Sequence, residues 1–456
     1  MKNIIVFLTD DHGQWALGSS GNRDIITPNL DRLAETGVVM ENAFTPTPVC
    51  SPARACFMTG LTASQHGVHD YLDGRDSAFR RDWLAGMPTV AELLQANGYQ
   101  TGLVGKWHLG NDPEPQHGFE DWFALAGDYP IDATGPARYS RNGKMVTLTG
   151  SKADVLTDGA IDFLEHRDPG RPFFLYVSHV STHSEWAGHP ERLVSLYRGK
   201  TFDDVPQDET FPFGVQNLES RELIDRNNPR EALAQYYAAV TNIDEGVGRV
   251  MAALDALGLR DETLIVYTSD HGLNCGHHGI WGKGNGTLPL NMVEETIRVP
   301  LILNHPGALK GGQRRSEFVD HLDLFQTLLD FAAAPPAAFD YAGRSYLPQL
   351  SSGGEAPWRD SQFCEYGNVR MMRTGRYKLV DRPAPEQPQL FDLATDPLER
   401  TDAATDPGMQ PVLRALQAEL ERHYERYGDP RHSGRRPGGP EPTNSTAPWS
   451  LDAQPA

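Results

Sequence analysis

The chain has 456 residues and carries 41 Lys and Arg against 61 Asp and Glu, a formal net charge of −20. So acidic a chain is a poor general binder of nucleic acid or anionic membrane, and it contains no run of about 18 apolar residues that could span a bilayer. With 39% hydrophobic residues a large core is possible, the length suits two domains, and four irregularly spaced cysteines imply no disulfide framework.

The first apolar run, residues 4–9, ends at once in Asp10 and Asp11. It is too short for the core of a secretory leader. It reads as a buried strand, and the protein as cytoplasmic. Short apolar runs at 100–104, 173–178, 264–269 and 299–303 read as further buried parallel strands. Helical patterns lie between them at 27–36, 89–97, 153–166 and 232–257. Strand alternating with helix predicts an α/β fold over residues 1–358, a mostly parallel sheet sandwiched by helices. From about residue 359 the pattern changes. Residues 370–374, 377–380 and 389–393 read as short antiparallel strands and 409–427 as a helix, a smaller α+β subdomain over 359–427. The Pro- and Gly-rich stretch 428–456 lacks apolar periodicity and reads as an extended or disordered tail.

In parallel sheets ligands collect at the carboxyl ends of the strands. Residues 4–9 end in Asp10-Asp11, and residues 264–269 end in Asp270-His271. Such groups in one crevice repel unless a cation sits between them. Oxygen-rich donors suit Ca²⁺ first, with Mg²⁺ or Mn²⁺ as substitutes. Either pair alone is equally explained as a helix cap. The run Pro48-Val49-Cys50-Ser51-Pro52-Ala53-Arg54 supplies the third piece. Ser51 can cap a helix, Pro52 suits its first turn and Gly60 its end. Cys50 then sits where amides and the helix dipole favour an anion, with Arg54 one turn along on the same side. A chance Cys-x-Pro-x-Arg match is expected in only about 0.02 chains of this composition.

Cys50-Ser51-Pro52-Ala53-Arg54, continued by Met58-Thr59-Gly60, resembles the modification motif of formylglycine-dependent sulfatases. The resemblance runs from residue 3 to about residue 400 and implies an alkaline-phosphatase-like α/β domain with a smaller C-terminal domain. It implies that a formylglycine-generating enzyme converts Cys50 to formylglycine, whose hydrated aldehyde is the nucleophile. It places residue 50 with Asp10, Asp11, Asp270 and His271 at one divalent metal, and a small sulfated molecule as substrate.

Three further motifs fit the resemblance. In Gly105-Lys106-Trp107-His108, residues two apart can face one ligand. Relatives use this Lys on sulfate and this His on the formylglycine hydroxyl. In His179-Val180-Ser181-Thr182-His183, the leaving-group role falls to His183, with His179 the rival. In Gly279-Ile280-Trp281-Gly282-Lys283-Gly284, Lys283 matches the lysine bridging sulfate and leaving group. The implied reaction uses Lys106, Lys283, Arg54 and the cation to neutralise sulfate oxygens, Asp270 as proton acceptor, His183 or Lys283 as proton donor, and His108 to release sulfate. His271 stands where many sulfatases carry Asn. A phosphonate monoesterase or phosphodiesterase of the same superfamily is the near rival, although Asp11 occupies the place where those enzymes carry Gln. A non-catalytic binding protein with an unmodified Cys50 is the distant one. Specificity is expected from loops 66–75, 128–143, 184–208 and 274–291, where Trp186, Trp281, His69, Asp73 and His277 either touch a sugar or simply pack.

Overall fold

The computed structural model describes residues 2–444 other than 75–79, 127–132, 185, 208–210, 217–227 and 352–356. Ten of its strands form one sheet. In chain order they are β1 (Asn3–Thr9), β2 (Val38–Phe44), β3 (Gln100–Gly105), β4 (Asp121–Leu125), β5 (Ala137–Arg141), β6 (Lys144–Leu148), β7 (Phe173–Ser178), β8 (Thr263–Ser269), β9 (Leu301–Asn304) and β10 (Gln313–Asp320). Across the sheet they run β10-β2-β9-β8-β1-β7-β3-β4-β5-β6. The middle is parallel, with β1 between β7 and β8, and β3 between β7 and β4. Ile4, Val6 and Leu8 enter the core on one face, and Ile5 and Phe7 the core on the other. Burial on both faces is why the run 4–9 shows no polar alternation.

Two helical layers cover the sheet. Helices α1 (Pro28–Thr36), α4 (Lys152–His166) and α5 (Pro229–Ala256) share one core. Helices α2 (Cys50–Thr59), α3 (Val90–Ala96) and α6 (His321–Phe331) share the other. Helix α5 starts three residues before its apolar pattern does, because the Asn228 side chain accepts from the Arg230 amide and Pro229 takes the first turn. No described helix is long and apolar enough to cross a membrane.

The sequence expectation for 299–303 needs correction. Strand β9 is antiparallel to both β8 and β2. It is as fully buried as β1, so its apolar composition carries no information about direction. The loop expected at 128–143 instead leads into the antiparallel β4-β5-β6 meander at one sheet edge.

A second sheet holds β11 (Ser361–Tyr366), β12 (Val369–Thr374), β13 (Tyr377–Asp381) and β14 (Gln389–Asp392), antiparallel throughout. Helix α7 (Gln410–Tyr427) lays Leu413, Leu416, Leu420 and Tyr424 onto its Met372, Leu379 and Leu390. The fully buried Lys378 joins the two halves, with Nζ 2.9 Å from Glu294 and 2.7 Å from Glu399. For 428–456 the sequence expectation is an extended or disordered tail. Residues 428–444 form no helix or strand, yet they lie along the protein with the Asp429 amide on Ser64 O at 2.9 Å and Arg435 on Asp381 at 2.8 Å. Residues 445–456 lie outside the described residues.

Candidate active site

Strands β1 and β8 pair in register from Asn3 with Thr263 to Thr9 with Ser269, so their carboxyl ends stop side by side. Asp10-Asp11 and Asp270-His271 therefore emerge together. Asp11 takes up a left-handed conformation, φ 63°, immediately after its strand. Such a backbone is strained for a non-glycine residue and persists only where neighbours fix it. Here the Asp11 carbonyl accepts from the Tyr236 hydroxyl at 3.1 Å. The Asp10 carbonyl accepts from both the Thr182 amide and hydroxyl at 2.9 Å.

Helix α2 points its start at these groups. All ten of its residues are buried and Gly60 closes it in a left-handed turn, φ 69°. Its cap differs from the sequence reading. Cys50 is the first helical residue, Val49 precedes it, and the Ser51 hydroxyl instead accepts from the Leu72 amide at 3.0 Å. Cys50 Sγ lies 3.2 Å from Asp10 Oδ1, 3.4 Å from His271 Nε2 and 3.0 Å from Lys283 Nζ. The donor atoms of Asp10, Cys50, Asp270 and His271 lie within 4.8 Å of one another, and so do those of Asp10, Asp11, Cys50 and His183. Oxygens on one calcium at its usual bond lengths stand about 3–5 Å apart. The cluster therefore fits a hard divalent cation, and it is a possible metal site.

Positive side chains ring the cluster. Lys106 pairs with Asp10, and Lys283 with Asp11 at 2.8 Å. Arg54, fully buried, sets Nη2 2.9 Å and Nε 3.1 Å from Asp270, and donates to Lys106 O at 3.0 Å and Ser178 Oγ at 2.6 Å. The sequence reading gave Arg54 to the sulfate oxygens. The structure turns its guanidinium onto the carboxylates and strand ends instead. Gly105, at the end of β3, passes so near β7 that a Cβ would stand 1.9 Å from Ser178 O, which keeps Lys106 over the site.

The electrostatics follow from burial and this ring of charge. Burial pushes the Cys50 thiol up, but Lys283, Lys106 and hydrogen bonds from His108 and His183 outweigh it and hold it well below the ordinary thiol range. Burial next to Asp10 pushes Asp270 up to about 7, against the opposing pull of His271 and Arg54. Burial alone would lower His271, yet Asp270 and Asp11 raise it to about 9. An anionic cluster that draws a proton onto a buried imidazole is one that demands positive charge. His108 goes the other way. Burial and then Lys106 push it down to about 4, so its ring is neutral near pH 7.

The two candidate histidines after β7 separate cleanly. His183 lies in the metal-sized cluster and hydrogen-bonds Cys50. His179 is buried among neighbours and pushed down to about 4 by that burial alone. Lys283 is held by Asn291, whose side-chain amide donates to its carbonyl at 2.9 Å. The aromatic candidates pack. Trp186 sits against Trp281, ring centroids 5.7 Å apart, His277 against Trp15 at 4.7 Å, and His69 against the His432 carbonyl. Asp73 is half-exposed, whereas Arg75, residues 128–132, 185 and 208 lie outside the described residues.

A family model described as sulfatase matches residues 2–334. The chain belongs to the sulfatase family. A second model, N-sulphoglucosamine sulphohydrolase C-terminal, matches residues 276–426. This sulfatase is 29% identical to the N-acetylglucosamine-6-O-sulfatase of Bacteroides thetaiotaomicron, over 94% of this chain and 87% of the relative. It is 28% identical to an arylsulfatase of Clostridium perfringens, over 94% and 96%. A solved structure in complex with its substrate D-glucosamine-2-N,6-O-disulfate superposes with a TM-score of 0.81 at 27% identity, covering 93% of this chain and 98% of the other. The phosphonate monoester hydrolase of Agrobacterium radiobacter superposes at 0.71 with 23% identity over 94% and 96%, a likeness of fold. The enzyme is a sulfuric ester hydrolase with an alkaline-phosphatase-like fold.

Sequence reading missed several supports of the sulfatase site: Ser178 under Arg54, Thr182 and Tyr236 on the Asp10-Asp11 backbone, and Leu72, whose carbonyl takes His108 Nε2 at 2.9 Å. Ser178 had a signal, since it ends a predicted strand. Tyr236 and Leu72 act from a helix interior and a loop, with no motif around them.

Proposed function

We propose that this sulfatase removes sulfate from a sulfated carbohydrate, a 6-O-sulfated amino sugar above all, using residue 50 as formylglycine and one Ca²⁺. The observation that carries the reading is the meeting of Cys50 with Asp10, His271 and Lys283 inside 3.4 Å, at a helix start facing two strand ends. The sugar is supported by the relatives, one named for N-acetylglucosamine-6-O-sulfate and one solved with a 2-N,6-O-disulfated glucosamine.

Asp10, Asp11, Asp270, His271 and residue 50 would hold the cation, which when bound neutralises sulfate oxygens. As a hydrated aldehyde, residue 50 supplies the oxygen that bonds to sulfur as the bond from sulfur to the leaving alcohol breaks, Asp270 takes the proton that this oxygen gives up, and the Cys50 sulfur marks where its oxygens stand. A formylglycine-generating enzyme is the partner this requires. The chain's own groups do the rest. Lys106 and Lys283 face the sulfate and stabilise the charge that grows on its oxygens. Lys283 is held well above its ordinary pKa, since Asp11 and Cys50 outweigh burial. It therefore keeps its proton and acts as a fixed cation. His183 is better suited to give a proton to the leaving alcohol. Its Nδ1 is tied to the Ser184 carbonyl at 2.5 Å, which leaves Nε2 to carry the transferable proton. His108 donates Nε2–H to Leu72 O, so Nδ1 is the basic nitrogen, and it takes a proton from residue 50 as sulfate leaves.

Two measurements test this. Mass spectrometry of the residue-50 peptide from the native host reads the side chain; an intact thiol in active enzyme sinks the formylglycine. A panel of 6-O-sulfated N-acetylglucosamine, aryl sulfate, choline sulfate, a phosphonate monoester and a phosphodiester reads the substrate. The sulfated sugar should turn over fastest. Faster phosphonate turnover overturns the proposal. Cys50→Ala should abolish turnover. His108→Ala should release about one alcohol per site and then stall before sulfate is released.

A further inference from the structure

The segment 62–72 opens with a short helix, Ala63–His66, and ends at Leu72 against Ser51 and His108, and the 428–444 arm fastens it. The Asp429 amide donates to Ser64 O at 2.9 Å, His432 Nδ1 meets Gln65 O at 2.6 Å, and His69 Nε2 meets His432 O at 2.7 Å. The last contact is the most telling. Asn444, only 7% exposed, donates from Nδ2 to both Asp70 Oδ2 at 2.9 Å and Tyr71 O at 2.8 Å. Asp70 is fully buried, and its other oxygen accepts from the Tyr71 amide at 2.8 Å and the Tyr366 hydroxyl at 2.5 Å. One residue further on, the Leu72 amide donates to Ser51 in α2 at 3.0 Å, and the Leu72 carbonyl accepts His108 Nε2 at 2.9 Å.

We infer that the 428–444 arm completes the active site: Asn444, through Asp70 and Tyr71, positions Leu72, and Leu72 sets the tautomer and placement of His108 beside residue 50. The physical logic is that a backbone carbonyl on one ring nitrogen decides which nitrogen is left as the base. His108 itself sits in a left-handed backbone, φ 59°, a conformation that persists only where neighbours fix it. Asn444 and Asp70 are positioning residues, since neither touches residue 50. The inference rests on the proposed role of His108.

The test uses the full chain with residue 50 converted, and three variants. Asn444→Asp is nearly isosteric but replaces the donor with a second carboxylate against Asp70. The swap Asp70→Asn with Asn444→Asp exchanges donor and acceptor between the two side chains but takes the Asn444 donor from the Tyr71 carbonyl. His108→Ala is the control. Readouts are amide hydrogen exchange at Leu72, which does not depend on activity, and kcat and KM on a sulfate ester. Asn444→Asp should speed exchange at Leu72 and lower kcat about tenfold with KM nearly unchanged, because a small misplacement of a catalytic group costs rate rather than binding. The swap should restore part of both, since it rebuilds the pairing of residues 70 and 444 and not the bond to Tyr71 O. Unchanged kcat in Asn444→Asp, whatever the exchange rate, overturns the inference. So does an exchange rate at Leu72 that Asn444→Asp leaves unchanged. If His108→Ala keeps full turnover, the His108 assignment fails first; if it stalls while Asn444→Asp turns over normally, only the arm's role fails.

Discussion

Arg54→Met separates a residue that holds the metal ligands from one that holds the substrate. The guanidinium has no exposed surface, stands 2.9 Å from Asp270 and 3.6 Å from Asp10, and also donates to Lys106 O and Ser178 Oγ. Met fills most of the same space and removes every donor. Stripping one partner from a buried ion pair costs about 3–5 kcal/mol. Part of that is recovered, because Asp270, already pushed up to about 7 by burial beside Asp10, takes a proton rather than stay charged. A net loss of about 2–4 kcal/mol is expected, read as a lower thermal midpoint. A protonated Asp270 is also a poor ligand, so with Ca²⁺ as the proposed cation the concentration needed for half-maximal activity should rise about 10–100-fold. Near-normal kcat should return at saturating calcium. Arg54→Lys should fall between, since it keeps the charge but loses the planar fork. A variant with the parental midpoint and calcium curve refutes the reasoning. A kcat that excess calcium cannot restore, at an unchanged midpoint, returns Arg54 to direct contact with sulfate.

Two further outcomes follow from the same geometry. His183→Ala should slow turnover of esters with poor leaving groups by about 10²–10⁴-fold and that of activated aryl sulfates much less, whereas His179→Ala should leave both rates near normal; equal effects would refute the assignment. The His278–Glu295 pair gives a pH signature away from the site. Burial would raise Glu295, but the hydrogen bond and charge of His278 draw it from 4.5 down to about 2. A depressed carboxylate contributes its stability above pH 4.5 and loses it as pH falls through 2. His278, raised above 6.5 by Glu295 against the pull of burial, contributes below 6.5 and loses that as pH rises through its folded value. The pair is fully effective between those limits, with at most about 3 kcal/mol from Glu295. Denaturant titrations at pH 3, 5.5 and 8 should show a maximum that His278→Gln flattens; identical profiles would dismiss the pair.

The residues that converge in the site were legible because they sit in contiguous motifs at the ends of apolar runs, where strand geometry dictates position. Asp10 and Asp270 followed from the rule that parallel strands end together, and Cys50 from the Cys-x-Pro-x-Arg run at a helix start, which decided between a metal site and helix caps. What escaped was either directionless or distant. Strand β9 is apolar on both faces, and β10 alternates exposed and half-buried residues in its first half, as an edge strand does, so neither announced its pairing. The target of Arg54 depended on the crossing of α2 over two strand ends, which one-dimensional spacing leaves open. Asn444 lies 374 residues from its partner Asp70, in a segment whose composition reads as loose.

The complete enclosure of helix α2 has a bearing on how the enzyme comes into being. Its first residue keeps only 2% of its surface and is roofed by groups from both strand ends and the lysine loop. On the proposed reading, an enzyme that oxidises that side chain must reach it before these groups close over it. Conversion and closure of the site then compete for the same segment, and a chain that closes first would keep its thiol enclosed.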